Sequence, residues 1–190
     1  MEKKKYRLPK SHFSENSALY SVMQRHEDGL NIAVDGLKKL WGLTPRELLS
    51  ARGIPKMYRE DICYYAKACL CFEYYIDSLD FVRNEIALPK GKLASALKRD
   101  IGSYEEFCYR FMEAGKSLRY AGFLYLVSQN GRISLVTARD YEIPKGEVLL
   151  AFSLFENAYL ERYGDRREGY LFECLKKANW ERAERLYEKA

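Results

Sequence analysis

Apolar residues near the N-terminus recur every three or four positions, and this spacing predicts a long amphipathic helix over residues 14–41. His26 falls on the apolar stripe, so we expect its imidazole to point inward. The segment 44–47, Thr-Pro-Arg-Glu, has the N-cap residue and the first-position proline of a short helix. Residues 55–82 predict a second long helix with apolar side chains nearly all round, as in a helix packed on more than one side. We expect the two long helices to form an antiparallel hairpin.

A different pattern begins after residue 87, where a Pro-Lys-Gly segment marks a candidate domain boundary. It divides the chain into a helical hairpin domain, 1–87, and an α+β domain, 88–190. An Asn-Gly dipeptide at 130–131, between two apolar runs, is typical of a tight β-hairpin. The prediction is an α+β fold in which an N-terminal antiparallel hairpin of long helices precedes a three-stranded antiparallel sheet covered by helices. The predicted C-terminal elements are strands at 123–127, 133–137 and 148–152 and helices at 91–99, 103–115, 156–163, 167–178 and 180–188.

The composition indicates which classes of partner the chain is expected to bind. The chain of 190 residues is 47% apolar, which is enough for a well-packed core. Its net charge of +5 is modest and acidic and basic residues are interspersed, so nucleic acid is not an expected partner. No apolar run has the length of a membrane span, and the charged start at residues 1–5 is not followed by a signal-peptide core. We therefore expect a cytoplasmic protein that does not insert into a membrane.

The cysteines are odd in number and come without a secretory signal, which favours reduced, mostly buried thiols over a disulfide framework. A thiol-based redox sensor is therefore one candidate function. The five cysteines are Cys63, Cys69, Cys71, Cys108 and Cys174.

The segment 153–159, Ser-Leu-Phe-Glu-Asn-Ala-Tyr, resembles the Asp-x-Trp-Glu-His-Ala-Tyr signature of the iron/manganese superoxide dismutases. Other segments resemble the same family in the same order along nearly the whole chain, and the family's order of helices and strands is the one predicted above. These further segments are Lys-Tyr-Arg-Leu-Pro at 5–9, Pro-Lys-Gly-Lys-Leu at 89–93, Arg-Asp-Ile-Gly-Ser at 99–103, Ala-Gly-Phe-Leu-Tyr-Leu at 121–126 and Ala-Asn-Trp-Glu at 178–181.

The resemblance implies a metal site that has lost most of its ligands. In the family three histidines and one aspartate bind iron or manganese, a nitrogen and oxygen set that suits these ions. His26 matches the first ligand, and Phe72 falls at the second. Ser153 and Asn157 stand where the resemblance places the aspartate and the last histidine. The chain has only two histidines, so it cannot rebuild a site of three.

The residues that surround the metal in the family are also replaced. The active-site gateway of the family, a histidine and a tyrosine on the first helix, corresponds to Leu30 and Val34. The glutamine that bonds the metal-bound solvent has no counterpart, because Ala68 and Arg139 lie nearest to its two known positions. Since such groups tune the redox chemistry of a metal, the resemblance implies that dismutase activity has been lost.

Two functional hypotheses follow. The first is a degenerate dismutase that has lost its iron/manganese site, holds no cofactor, and acts as a binding or scaffolding protein. It is expected to be a homodimer that also binds an unidentified protein partner. The alternative is a divergent metal-dependent dismutase or another metalloprotein, with iron, manganese or zinc in a site rebuilt around His26 and Cys69.

The sequence allows two interpretations of His26 and two of Glu156. His26 is either a surviving ligand or a core histidine held by a hydrogen bond. The resemblance implies that Glu156 reaches across a dimer axis, where it would meet Asn157 in place of the family's histidine. The other interpretation of Glu156 is a helical glutamate that faces solvent.

Overall fold

A computed structural model describes residues 5–83 and 85–190, so residues 1–4 of the charged N-terminal segment lie outside the described residues. The chain forms two compact units, Met1–Glu73 and Tyr74–Ala190. The predicted boundary after residue 87 stays a prediction. Within the described part of the chain, no helix combines the length and the apolar character that crossing a bilayer requires.

The first unit is helical. Near the middle of the two long helices, a side chain added at Gly29 would meet the Tyr65 ring at 2.3 Å, so the missing side chain permits close packing there. His26, one turn earlier, lies against Phe72, one to two turns later in the other helix. The predicted antiparallel hairpin is therefore confirmed. Its elements are α1 (Ala18–Ala33), a 3₁₀ turn (Lys38–Leu40), α2 (Pro45–Ser50) and α3 (Lys56–Asp77), and the last turn of α3 belongs to the second unit.

The predicted bounds of α1, 14–41, are wrong at both ends. The Ser17 side chain accepts a hydrogen bond from the Tyr20 amide, and this N-cap starts the helix four residues later than predicted. At the other end the helix stops at Ala33, and a turn containing Gly36 follows. Apolar spacing continues through this turn to Leu40, which is buried in the 3₁₀ segment, so periodicity alone could not show the break.

The short helix predicted at 44–47 is confirmed as α2, with a complete capping box between Thr44 and Glu47. The long helix predicted over 55–82 is confirmed in type but ends earlier, at Asp77. The Ser78 hydroxyl donates to the Tyr74 carbonyl at 2.6 Å, and Leu79 then forms an isolated antiparallel bridge. A serine hydroxyl bonded to the carbonyl four residues earlier competes with the helical hydrogen bonds, and here it lies just after the last helical residue.

The second unit contains the antiparallel sheet that was predicted. Its strands are β1 (Gly122–Gln129), β2 (Arg132–Arg139) and β3 (Glu147–Ser153), in the spatial order β2-β1-β3. The turn between β1 and β2 has positive φ at both central residues, 52° at Asn130 and 71° at Gly131. This is the conformation that an Asn-Gly hairpin adopts to match the twist of its strands, so the predicted hairpin is confirmed.

Helices cover the sheet and complete the predicted α+β fold. Phe111 packs edge-on against Phe152 of β3 at a centroid distance of 5.2 Å, and Phe107 packs in the same way against Trp180 at 5.5 Å. The single helix predicted at 156–163 is wrong, because Tyr159 breaks it into a 3₁₀ turn and one helical turn. These helices are α4 (Gly91–Asp100), α5 (Tyr104–Ser117), α6 (Leu160–Tyr163), α7 (Arg167–Lys176) and α8 (Trp180–Tyr187), with the 3₁₀ turn at Glu156–Ala158.

The two outer edges of the sheet differ. Along β3 the outward amide of Ala151 donates to the Ser78 hydroxyl at 2.7 Å, and Arg182 donates to the carbonyl of Leu149 at 3.4 Å. Along β2 one outward amide, that of Ile133, donates to the Asp100 carboxylate at 2.9 Å. The edge of β3 is thus closed by side chains, whereas that of β2 is closed near its start.

Candidate functional site

His26 lies on α1 in the first unit, where 6% of its surface is exposed. Its ring is surrounded by aromatic rings, with centroid distances of 5.8 Å to Tyr64, 6.1 Å to Tyr65 and 5.9 Å to Phe72. Burial, with a smaller contribution from the Arg25 charge, lowers the pKa of His26 to about 4. The imidazole is therefore neutral at physiological pH, and the expectation that it points inward is confirmed.

Phe72, which the resemblance implies at the second ligand position, is fully buried on α3. A phenyl ring offers no lone pair to a metal ion, and in this position it packs against the imidazole of His26. Leu30 and Val34, which the resemblance implies at the gateway, are also buried, and Ala68 is fully buried on α3. Aromatic rings thus lie against His26, and Leu30, Val34 and Ala68 are buried in the same unit.

Ser153 ends β3 in the second unit and is fully buried. Its carbonyl accepts a 2.7 Å hydrogen bond from the Tyr170 hydroxyl, and its own hydroxyl accepts a long one, 3.4 Å, from the Phe155 amide. Through these two hydrogen bonds Ser153 stabilises the end of β3 and the turn that follows it. A neutral hydroxyl carries none of the negative charge that the family's aspartate brings to a metal.

Asn157 and Glu156 lie in the 3₁₀ turn that follows β3. Glu156 is exposed, and Asn157 is half-buried. The buried Oδ1 of Asn157 receives no hydrogen bond from the residues that the structure describes. Both side chains line a cavity of about 330 Å³, together with Arg119, Tyr120 and Arg167.

Arg167 fixes the surroundings of this turn. Its guanidinium donates to the carbonyls of Gly115 and Leu118, at 3.3 and 2.6 Å, and to the Tyr159 hydroxyl at 2.9 Å. Arg167 was not among the residues predicted to form a site. Its position at the start of a predicted helix, eight residues after Tyr159, was the only available signal, and the carbonyl partners come from a helix about fifty residues away. Arg139, the other position considered for the solvent-bonding glutamine, stacks on the Tyr120 ring at 3.9 Å.

Cys69, proposed as a soft ligand beside His26, is buried on α3. Burial raises the pKa of its thiol, and the carboxylates of Glu73 and Glu27 raise it further. A metal binds the thiolate form, so these surroundings oppose coordination by Cys69. In residues 5–83 and 85–190, no three His, Cys, Asp or Glu side chains converge in a way that could hold a metal ion.

The donor set does not fit the metal that the resemblance implies. His26 and Phe72 lie together in the first unit, and Ser153 and Asn157 lie four residues apart in the second. One neutral imidazole, a phenyl ring, a hydroxyl and a carboxamide stand in place of three imidazoles and a carboxylate. The second set is the nitrogen and oxygen set that suits iron and manganese, whereas the first supplies one imidazole nitrogen and no negative charge.

Comparison with known proteins identifies the second unit. Residues 89–186 match the model of the iron/manganese superoxide dismutases, C-terminal domain. The chain is also 35% identical, over 103 residues, to the superoxide dismutase [Mn/Fe] of Porphyromonas gingivalis. That match covers 52% of this chain and 54% of the relative, so the chain spans about half the length of the curated relative that it matches. The chain belongs to the iron/manganese superoxide dismutase family.

Proposed function

We propose that this chain is a family member that has lost the iron/manganese site and dismutase activity and that acts as a binding or scaffolding protein. One observation carries the proposal: three of the four ligand positions hold Phe72, Ser153 and Asn157, none of which is an imidazole or a carboxylate. The family normally depends on iron or manganese. A single neutral histidine cannot replace the charge and the lone pairs that the other three ligands supply.

The burial of these residues supports loss of the site. Phe72 and Ser153 are fully buried, and each makes contacts typical of a protein core. Filling a former ligand position with a close-packed ring stabilises the fold through dispersion and apolar burial. The ligand positions have thus become part of the packing, and the chain holds no cofactor under this proposal.

The test is the metal content of the purified protein after growth with added iron, manganese and zinc, measured beside superoxide dismutation. We expect substoichiometric metal and no activity in the parent. The triple variant Phe72→His/Ser153→Asp/Asn157→His restores the family's ligands and is expected to gain iron or manganese, because it again offers three imidazoles and a carboxylate. The double variant Ser153→Asp/Asn157→His, which keeps Phe72, is the matched control.

Near-stoichiometric iron or manganese in the parent, with activity, would refute the proposal. The alternative is a metalloprotein rebuilt around His26 and Cys69, with iron, manganese or zinc. It requires near-stoichiometric metal in the parent that disappears in both His26→Ala and Cys69→Ser. The raised pKa of the Cys69 thiol argues against it. The redox-sensor hypothesis meets the same difficulty at Cys174, because burial raises the pKa of its thiol to about 12, so the hypothesis depends on the partly exposed Cys63 and Cys108.

We further propose that the protein is a homodimer in the cytoplasm, with an unidentified protein partner and without nucleic acid. Family members are typically homodimers or tetramers. Support comes from the placement of exposed Glu156 and half-buried Asn157, whose side chains line one cavity. A second copy could bring its own Glu156 to the Asn157 amide around a two-fold axis. Five reduced cysteines agree with a reducing compartment.

The variant Glu156→Lys tests this interface. It replaces the acceptor by a cation, so we expect the dimer to dissociate at concentrations at which the parent stays dimeric, by sedimentation equilibrium. Glu188→Lys makes the same charge change at the exposed residue that follows α8 and should leave the mass unchanged. Equal masses for the parent and Glu156→Lys would contradict this interface.

A further inference from the structure

Along β2, residues whose backbone groups bond to β1 alternate with residues whose backbone groups point away from the sheet. Gln129 pairs with Arg132 across the two-residue turn, and the register continues without a shift to Gly122 and Arg139. In such a hairpin the even-numbered residues of β2 exchange hydrogen bonds with β1, and the odd-numbered residues turn their amides and carbonyls outward. The outward amide of Ile133, which donates to Asp100, agrees with this assignment.

Two of these outward groups are satisfied inside the chain, one at each end of the edge. The Ile133 amide donates to Asp100 at 2.9 Å, and the Arg139 carbonyl accepts from the Glu142 amide at 3.0 Å. Six outward groups remain without a partner among the described residues. They are the carbonyl of Ile133, the amide and carbonyl of Leu135, the amide and carbonyl of Thr137, and the amide of Arg139.

This edge also lacks the usual protection against strand pairing. Natural edge strands carry lysine, proline or a bulge, or they are covered. The sequence of β2, Arg-Ile-Ser-Leu-Val-Thr-Ala-Arg, carries a charge at each end but contains no lysine, proline or glycine and no charge in between, and its pairing with β1 has no bulge. The opposite edge, on β3, is closed by Ser78 and Arg182. The open segment is thus a specific feature of β2.

We propose that β2 pairs antiparallel with β2 of a second copy of this chain, around a two-fold axis at Val136. In this register Leu135 faces the partner's Thr137, and Ile133 faces the partner's Arg139. All six open groups of each copy then find a partner. The two groups that are satisfied internally, the Ile133 amide and the Arg139 carbonyl, face each other and leave nothing unpaired.

A two-fold axis one residue earlier or later does not give every open backbone group a partner. An axis at Leu135 would place the Thr137 carbonyl opposite the Ile133 amide, which already donates to Asp100. An axis at Thr137 would place the Leu135 amide opposite the Arg139 carbonyl, which is also occupied. Each would leave backbone groups unsatisfied in the new ladder, at a cost of about 1–3 kcal/mol for each buried group.

Charge supports the same register. Arg132, whose side chain is 73% exposed and pairs with Asp100 at 2.8 Å, would lie close to the partner's Asp140, an exposed residue of the turn that follows β2. The two-fold axis produces this approach twice. Opposite charges near the ends of the paired strands favour the pairing, whereas an interface that brought the two copies of Arg132 together would oppose it.

Disulfide cross-linking measures the register directly. The two copies of Val136 would form a non-hydrogen-bonded pair with Cα atoms about 4.5 Å apart, within the range that a disulfide spans. The control is Ser134→Cys on the same face, where the two copies lie about 13 Å apart because four residues separate them along the strand. Both variants are made with Cys63→Ser and Cys108→Ser, since these two thiols are partly exposed.

With oxidised glutathione as oxidant, we expect Val136→Cys to form the linked dimer at least about tenfold faster than Ser134→Cys. Equal rates would overturn the proposal. Repeating the measurement with Glu156→Lys separates this edge from the interface at Asn157: the proposed pairing predicts an unchanged rate, and loss of cross-linking would assign the contact to the other face.

Hydrogen exchange gives a second, independent measurement. At high protein concentration the amides of Leu135 and Thr137 should be protected, and dilution should remove the protection. Val136→Lys places two like charges across the axis, so we expect it to speed exchange of these two amides at least about tenfold at high concentration. The Ile133 amide, bonded within the chain, serves as the internal control. Exchange that is independent of both concentration and the variant would refute the pairing.

Discussion

Replacing Lys10 with methionine is expected to lower the free energy of unfolding by about 3–5 kcal/mol, because it leaves the carboxylate of Glu27 buried without its nearest cation. The Lys10 and Glu27 side chains are 7% and 1% exposed and form a direct ion pair. Glu27 also accepts from the Leu8 amide at 2.9 Å and from Arg7 at 3.2 Å. These bonds hold the carboxylate in a position to which water has little access.

Urea unfolding followed by circular dichroism measures the effect. Arg7→Met is the matched control, because Arg7 is 71% exposed and its pair with Glu27 should be worth less than about 1 kcal/mol. The double variant Lys10→Met/Glu27→Leu removes both charges and should recover most of the loss. If Lys10→Met costs no more than Arg7→Met, the buried pair is not the source of stability that the structure indicates.

Acidification is expected to destabilise the protein through His26 before most carboxylates titrate. The pKa of His26 is about 4 in the folded chain and about 6.5 in the unfolded chain, so the unfolded state binds the proton more tightly. The neutral imidazole therefore contributes its full stability above pH 6.5 and loses it as the pH falls towards 4. The whole change corresponds to about 3 kcal/mol.

His26→Leu should remove this dependence, because leucine can fill an aromatic pocket without binding a proton. We expect its free energy of unfolding to change less than that of the parent between pH 6.5 and 5, by urea titration at each pH. His12→Leu removes the other histidine, at an exposed position, and is the control for the substitution itself. A parent and a His26→Leu variant with equal slopes would show that His26 is already accessible to protons.

Local patterns predicted most of the fold. Apolar periodicity located the long helices, and the Asn-Gly pair at 130–131 located the hairpin, because both depend on neighbours along the chain. Their ends were less predictable. The cap at Ser17 and the break at Tyr159 depend on single hydrogen bonds and backbone angles that periodicity does not contain.

The candidate site also has features that the sequence could predict and contacts that it could not. The motif around 153–159 indicated the family, and the count of two histidines limited the metal chemistry that could be expected. The contacts of Arg167 with Gly115 and Leu118 could not be predicted, since they join segments about fifty residues apart. The ion pair of Lys10 and Glu27 could not be predicted either, because in the sequence each residue looks like an ordinary surface charge and only the fold buries both.

The environment of Asp100 affects how β2 behaves in acid. Hydrogen bonds from Arg99, from the Ile133 amide and from Arg132 hold the pKa of its carboxyl well below its usual range. The carboxylate therefore stays charged, and the Ile133 amide stays occupied, at acidities that protonate ordinary aspartates. Acid promotes fibril growth in many proteins by weakening native contacts, and a fibril grows when further strands bond to an open strand edge. Because the Ile133 amide stays bonded to Asp100, acid frees no further backbone donor for such a strand at the start of β2.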